Sequence, residues 1–400
     1  MKYPSFREKG LSLLLTLFIL FTSCKTDTTT ENDKVDALIS TTKETFAPDK
    51  RVAIFDLEVE KNPQGYLIKG VTNLPDALQS FREELESQKI SYTDSIEVLP
   101  SATLEGKIQG VVTVSVANLR GNPSHSAEMV TQATLGTPLK VYQKERNWYR
   151  VQTPDHYLGW VDSGGLELMD KSVFGEWQAS DKLIYTQTYG NAFAEADAAS
   201  QVVSDLVFGN ILQLVSEQAG FYEVNYPDGR KGFISKSEAA PYATWTSSLP
   251  LTKEALMATS KKMLGVPYLW GGTSAKGVDC SGFTKTVYFM NGMIIPRDAS
   301  QQIHEGILID DSKDFDKLVP GDLLFFGRKA TDTSPEKVIH VGMWVGNNEF
   351  IHSAGDVHIS SMDKDSENFD EYNYNRYLRS KRILNETDEG LLYLTEKNIF

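Results

Sequence analysis

Cysteine is nearly absent: the 400 residues hold only Cys24 and Cys280. Two cysteines cannot build a disulfide framework, and their settings differ so much that each is expected to have its own chemistry. Positive charge is also short, with 40 Lys and Arg against 54 Asp and Glu and a net charge of -14. Phosphate contacts need concentrated Lys and Arg, so nucleic-acid binding is excluded. Long hydrophobic runs are missing too. The apolar stretch Leu11 to Phe21, broken by Ser12 and Thr16, is shorter than the roughly 20 residues a transmembrane helix needs. Neither a close Cys-x-x-Cys pair nor a His-x-x-x-His pair occurs, so the spacing supplies no metal-holding motif and no cofactor is expected.

What is there begins with an export signal. Lys2, Arg7 and Lys9 form a basic leader before the apolar stretch, and Thr22 and Ser23 precede Cys24. The segment resembles a bacterial lipoprotein signal (residues 1–23), which implies lipidation at Cys24 and a polar Thr- and Asp-rich tether over 24–34. A plain signal peptide or membrane anchor is the alternative. The expected location is the periplasmic or cell-surface side of a membrane. Lys25 in place of a retaining aspartate points to the outer membrane of a two-membrane host.

Residues 35–105 read as a small α/β spacer or packing region. Tyr66 to Gly70 is a strand candidate, and Leu74, Ala77, Leu78, Phe81 and Leu85 recur at helical spacing. From 106 to 168 short strands follow one another: Val111 to Val116, Leu139 to Tyr142, Trp148 to Val151 and Gly159 to Val161. With Asn118-Leu119-Arg120 and Gly136-Thr137-Pro138, they resemble a bacterial SH3-like β-barrel. Residues 169–240 repeat the pattern more weakly, as a degenerate second barrel. Trp148 to Phe221 and Gly159 to Gly232 are both 73 residues apart, the equal offset a repeat predicts.

Thr252 to Leu264 has the apolar spacing of an amphipathic helix, and the chain then reads GVPYLWGGTSAKGVDCSGF from Gly265 to Phe283. A helix starting at Cys280 would aim backbone donors at its sulfur and favour the thiolate. His340 opens the apolar run Val341 to Val345, and His352 follows the turn Gly346 to Glu349. Two adjacent antiparallel strands would bring these histidines together, one as base and the other as its orienting partner. An inert core cysteine and a zinc site of Cys280, His340 and His352 are the competing readings. His125, His156, His304 and His358 are expected to be structural or exposed.

Residues 252–384 resemble the papain-like cysteine peptidases of the NlpC/P60 family. The resemblance rests on Tyr268-Leu269-Trp270-Gly271-Gly272, Asp279-Cys280-Ser281-Gly282-Phe283 and Pro296-Arg297 with Gln301. It continues through Pro320-Gly321-Asp322-Leu323, His340-Val341-Gly342-Met343 and Phe350-Ile351-His352. It implies an α+β chain: a papain-like catalytic domain over 250–384, two SH3-like barrels before it and a tail over 385–400. It implies Cys280 as nucleophile, His340 as base, His352 as third polar residue and Tyr268 as an oxyanion donor.

The pairing of such modules resembles γ-D-glutamyl-L-diamino acid endopeptidases, which cleave peptidoglycan-derived peptides bearing a free N-terminal L-alanine. Asp279, Ser281, Asp298, Trp270, Glu128 and Tyr157 are then the substrate-binding candidates. Asp279 is equally suited to cap the Cys280 helix, and one carboxylate can serve both ends. Ala299 stands where relatives carry a serine. The alternatives are a cell-wall-binding module with an inactive peptidase domain, or an amidase or acyltransferase of the same superfamily.

Overall fold

The structure, a computed structural model, describes residues 29–63 and 65–400. The expected signal segment, Cys24 and the start of the expected tether lie outside the described residues. Among the described residues no helix is long and apolar enough to cross a membrane.

Helices Thr29–Phe46 and Pro75–Ser87 pack on a three-stranded sheet of Phe55–Asn62, Gly65–Thr72 and Tyr92–Val98. Pro75 stands in the first turn, where its missing N–H removes no helical hydrogen bond. Ala77, Leu78, Phe81 and Leu85 form the buried face of that helix, against Val35, Phe55 and Ile68. This layer is fastened to the next. The Leu158 amide donates to the Arg51 carbonyl at 2.7 Å, and the Gln152 side chain donates to the Val52 carbonyl at 2.8 Å.

Two seven-stranded antiparallel sheets follow. The first runs, in spatial order, Leu166–Met169, Gln109–Val112, Pro138–Glu145, Trp148–Gln152, Leu158–Asp162, Val116–Arg120 and Met129–Thr134. The second runs Ala239–Pro241, Lys182–Tyr185, Ile211–Gln218, Phe221–Asn225, Lys231–Ser235, Tyr189–Phe193 and Val202–Val207. The order is the same in both. Arg150 faces Trp160 in one and Glu223 faces Phe233 in the other, a shared register at the 73-residue offset.

Neither sheet closes, so the expected SH3-like β-barrels are corrected to open sheets. Closure needs the two end strands to pair, and here other elements cover each edge instead. In the first sheet Met129–Thr134 meets the 271–274 segment: Thr273 N donates to Gln132 Oε1 at 3.0 Å, and Thr273 Oγ1 donates to the Gln132 carbonyl at 2.9 Å. At the opposite edge, helix Lys171–Ala179 brings Trp177 against Met169 and Val111. In the second sheet, Ala239–Pro241 leads directly into helix Tyr242–Ser248, whose Trp245 packs on Ile184. Asp205, on the other edge strand, pairs with Lys276 at 2.6 Å. Alternating short strands look alike in either arrangement, so the sequence pattern does not distinguish closure from coverage.

The last body is a six-stranded antiparallel sheet in the order Ile307–Asp310, Tyr377–Arg382, Leu323–Arg328, Lys337–Gly346, Glu349–Ala354 and Asp356–Ser361. Helices Lys253–Lys262 and Cys280–Phe289 pack against it. Leu256, Phe283, Val287 and Tyr288 share a core with Phe325, Val341, Met343 and Ile351. Thr252 caps the first helix by accepting from the Ala255 amide at 3.3 Å.

Lys285, on the Cys280 helix, forms a buried ion pair with Asp155, in the turn between strands Trp148–Gln152 and Leu158–Asp162. Removing one member strands the other charge away from water, at a cost of about 3–5 kcal/mol. Lys285→Met should therefore lower the melting temperature by several degrees, and Lys285→Met/Asp155→Leu should recover most of it. Thermal melts of the three proteins test this, and a double variant no more stable than the single one would count against it.

Candidate active site

The Cys280 helix begins where Asp279 caps it. Asp279 Oδ1 accepts from the Gly282 amide at 2.7 Å and from the Ser281 hydroxyl at 3.2 Å. Oδ2 accepts from the Gly271 amide at 3.0 Å. Arg297, only 1% exposed, forks onto both oxygens at 3.0 and 2.6 Å. The same guanidinium donates to Ser281 Oγ and to Thr131 Oγ1 of the neighbouring sheet, each at 3.0 Å. Both Asp279 and Ser281 are thus engaged inside the protein, and the capping role of Asp279 is visible in the geometry. Gly271 has a φ of +78°, and a Cβ there would overlap the Met129 carbonyl. Only glycine allows the turn to seat that closely.

Strand register places His340 opposite Phe326, and the next strand carries His352. His340 Nε2 lies 2.8 Å from His352 Nδ1, and His352 Nε2 lies 3.1 Å from Ser360 Oγ. Asp370 Oδ2 is 4.0 Å from His352 Nε2. Burial, then the charge of His352, holds the His340 pKa well below the ordinary imidazole value. Burial, then His358, lowers His352 to about 3. Burial, then the Asp279 carboxylate, pushes the Cys280 thiol up to about 12, while the Val341 and Ser281 amides and Arg297 act in the opposite direction. Tyr268 is raised to about 12 by burial, then by Cys280 and Asp279. At neutral pH the resting site therefore holds a neutral thiol, neutral imidazoles and a protonated phenol.

Cys280, His340 and Tyr268 open onto a cleft of about 860 Å³ whose other walls come from the first seven-stranded sheet, with Glu128 and Tyr157, and from the N-terminal layer, with Arg51. Trp270 Nε1 donates to Glu128 Oε1 at 2.8 Å, which ties two sequence candidates together. Tyr157 donates to Asp298 Oδ2 at 3.0 Å, which ties two more. Arg51 donates to the same Asp298 oxygen at 2.7 Å and to Ser300 Oγ at 2.8 Å. Its Nε and second amino group fork onto Asp49 at 2.8 and 2.7 Å, and Gln301 supports Asp49 at 2.9 Å. Ala299, where a serine was the family expectation, is buried, and Ser300 beside it takes the Arg51 hydrogen bond.

Sequence reasoning missed Arg51 and Ser360. Arg51 lies in a segment read as a spacer, and its contact with Asp298 spans 247 residues. Nothing local to it signals a site. Ser360 has the one legible clue, a place on the strand paired with that of His352, whose residue His352 faces His358.

A buried thiol at a helix start and a hydrogen-bonded imidazole pair, opening on one deep cleft, define the class: a thiol hydrolase. Comparison with known proteins takes this further. Residues 265–378 match the NlpC/P60 family and residues 115–167 match the bacterial SH3 domain. The chain is 30% identical over 238 residues to the γ-D-glutamyl-L-lysine dipeptidyl-peptidase of Bacillus cereus, covering 58% of this chain and 68% of that protein. It is 31% identical to the protein of the same name in Bacillus subtilis, covering 56% of this chain and 71% of that one. It is 27% identical to dipeptidyl-peptidase 6 of Lysinibacillus sphaericus, covering 64% and 93%. The crystal structure of an NlpC/P60 family protein from Bacillus cereus superposes with a TM-score of 0.59 at 25% identity, covering 69% of this chain and 99% of that one.

The chain belongs to the NlpC/P60 family. It is a cell-wall peptidase of the thiol-hydrolase type, a cysteine endopeptidase acting on peptidoglycan-like substrates.

The histidine pair makes folding sensitive to acid. Both imidazoles have folded pKa values below the unfolded value near 6.5, so between the two the unfolded chain binds more protons. Their contribution to stability is full above about pH 6.5 and is lost as the pH falls toward the folded values, about 3 for His352. The melting temperature should drop between pH 7 and pH 4, and His352→Asn should flatten that slope. Identical slopes in the variant and the parent would contradict this origin.

Proposed function

We propose that this protein hydrolyses the γ-D-glutamyl-L-diamino acid bond of peptidoglycan stem peptides that carry a free N-terminal L-alanine. The observation that supports this most is the polar end of the cleft, where Tyr157 and Arg51 fix Asp298 while Glu128 lines the same space. The cleft lining carries five carboxylates (Asp56, Glu128, Glu145, Asp279, Asp298) against four cations (Lys50, Arg51, Arg150, Arg297), a negative balance that suits an ammonium. The names of the Bacillus relatives specify a γ-D-glutamyl-L-lysine bond, in keeping with the same reading.

The hydrogen-bond chain links the two tautomers to each other. If Ser360 accepts from His352 Nε2, then His352 Nδ1 accepts from His340 Nε2, and His340 Nδ1 keeps a free lone pair. In our reading that atom takes the Cys280 proton as sulfur attacks the glutamyl γ-carbonyl carbon. Tyr268 and the Cys280 amide hold the oxyanion. The C–N bond breaks as His340 returns the proton to the leaving nitrogen, and a thioester joins Cys280 to the acyl peptide. Water, deprotonated by His340, then attacks the thioester and frees the thiol. Trp270 frames the acyl side through Glu128. Asp279 and Ser281 act by fixing the helix start.

Incubation with L-Ala-γ-D-Glu-diaminopimelate, its lysine counterpart and their N-acetylated forms, followed by mass spectrometry, tests the reading. The free-amine peptides should be cleaved at the γ-glutamyl bond, and Cys280→Ala should cleave neither. A charge-assisted hydrogen bond contributes about 1.5–3 kcal/mol, so Glu128→Gln, Asp298→Asn and Arg51→Ala should raise KM about tenfold or more. Equal cleavage of the free and acetylated peptides would sink the amine recognition. We further infer that the exported protein is lipid-anchored through Cys24, possession of which predicts that Cys24→Ala moves it from the membrane fraction to the soluble fraction.

A further inference from the structure

A second groove of about 370 Å³ opens against the same Tyr268 and His340 and shares no other lining residue with the main cleft. Its wall includes Asp370, Tyr372 and Arg376. The Arg376 guanidinium lies over the Tyr372 ring, 4.1 Å from its centre. Its Nε donates to Asn373 Oδ1 at 2.9 Å, and one amino group reaches the Tyr372 hydroxyl at 3.4 Å. Arg51 and Arg297 are each ion-paired with carboxylates, whereas Arg376 makes no ion pair among the described residues. Asp370, the acid of the same wall, is occupied by Asn373, whose amide it accepts at 2.9 Å and whose side-chain amide it also takes.

The Asp370 charge acts on Arg376 but no carboxylate among the described residues ion-pairs with it, so an arginine held against an aromatic ring keeps donors for an incoming anion. Tyr372 is 70% exposed, so the platform faces solvent rather than a core. The charge of Arg376 also bears on both His340 and Cys280, which places it within electrostatic reach of the reacting groups.

We propose that Arg376, seated on Tyr372, binds a carboxylate of the residue that leaves when the γ-glutamyl bond is cut. This rests on the reading of the reaction given above. His340 must protonate the departing amine, so the departing residue occupies the histidine side of the cleft, where this groove lies. In a tripeptide stem that residue has a free α-carboxylate, and diaminopimelate has a second one on its side chain. Arg376 is thereby a specificity-determining residue that favours short stems ending at the diamino acid.

The test compares wild type, Arg376→Ala and Arg376→Lys on L-Ala-γ-D-Glu-L-Lys, its C-terminal amide, and the diaminopimelate peptide as C-terminal amide. Wild type should favour the free acid over the lysine amide about tenfold or more in kcat/KM, with the difference in KM. Arg376→Ala should bring the acid down to the level of the amide, and Arg376→Lys should restore part of the preference. A preference for the diaminopimelate amide over the lysine amide, lost in Arg376→Ala, would assign the side-chain carboxylate as the one bound. An acid-to-amide ratio and a diaminopimelate preference that are both the same in wild type and Arg376→Ala would overturn the inference while leaving the proposed reaction intact. Cleavage of none of the peptides by wild type would overturn the proposed reaction itself, and this inference with it.

Discussion

One buried guanidinium holds the site together. Arg297 reaches both oxygens of Asp279, the hydroxyl of Ser281 and the hydroxyl of Thr131. Burying an arginine and an aspartate is costly unless their hydrogen-bonding capacity is met, and the fork geometry meets most of it. Its consequence is positional. The pair fixes the first turn of the Cys280 helix, and the Thr131 contact ties that turn to the sheet that supplies Glu128 and Tyr157. The start of the Cys280 helix and the Glu128 and Tyr157 wall of the cleft thus share one anchor.

The chemistry depends on a second constraint, exclusion of water. His340 and His352 are almost wholly buried, and they satisfy each other and Ser360 rather than solvent. The same burial that keeps the imidazoles neutral also keeps the thiol protonated. Thiol with imidazole and thiolate with imidazolium contain the same number of protons, so the proposed proton transfer from Cys280 to His340 leaves the net charge of the site unchanged. The cleft lining is net negative, and the groove that shares His340 holds Arg376, which makes no ion pair among the described residues. The proposed polarity of the peptide across the site rests on that asymmetry in charge.

How much of this was legible depended on how local the signal was. Helix Cys280–Phe289 was legible because Asp279 and Gly282 lie three residues apart, as a capping contact requires. The adjacency of His340 and His352 followed from two apolar runs separated by a tight turn. The repeat was legible from an equal offset, and the structure gives both copies one strand order. Closure was not legible, since covered edges and paired edges have the same alternating pattern. The expected barrels were open sheets for that reason. Arg51 was illegible because its partners, Asp298 and Ser300, are nearly 250 residues away.

The sequence by itself determined the elements and the reactive residue types: a capped helix that begins on a cysteine, two histidine-bearing strands, and repeated short strands upstream. These rest on contacts between neighbours in the chain, which composition and spacing record directly. Only the tertiary structure decided that both seven-stranded sheets stay open, that Asp279 is taken up by Arg297, and that the N-terminal layer places Arg51 on Asp298. Those outcomes depend on which surfaces meet. Edge coverage, buried charge pairing and cleft walls arise between segments far apart in sequence, where no local pattern constrains them.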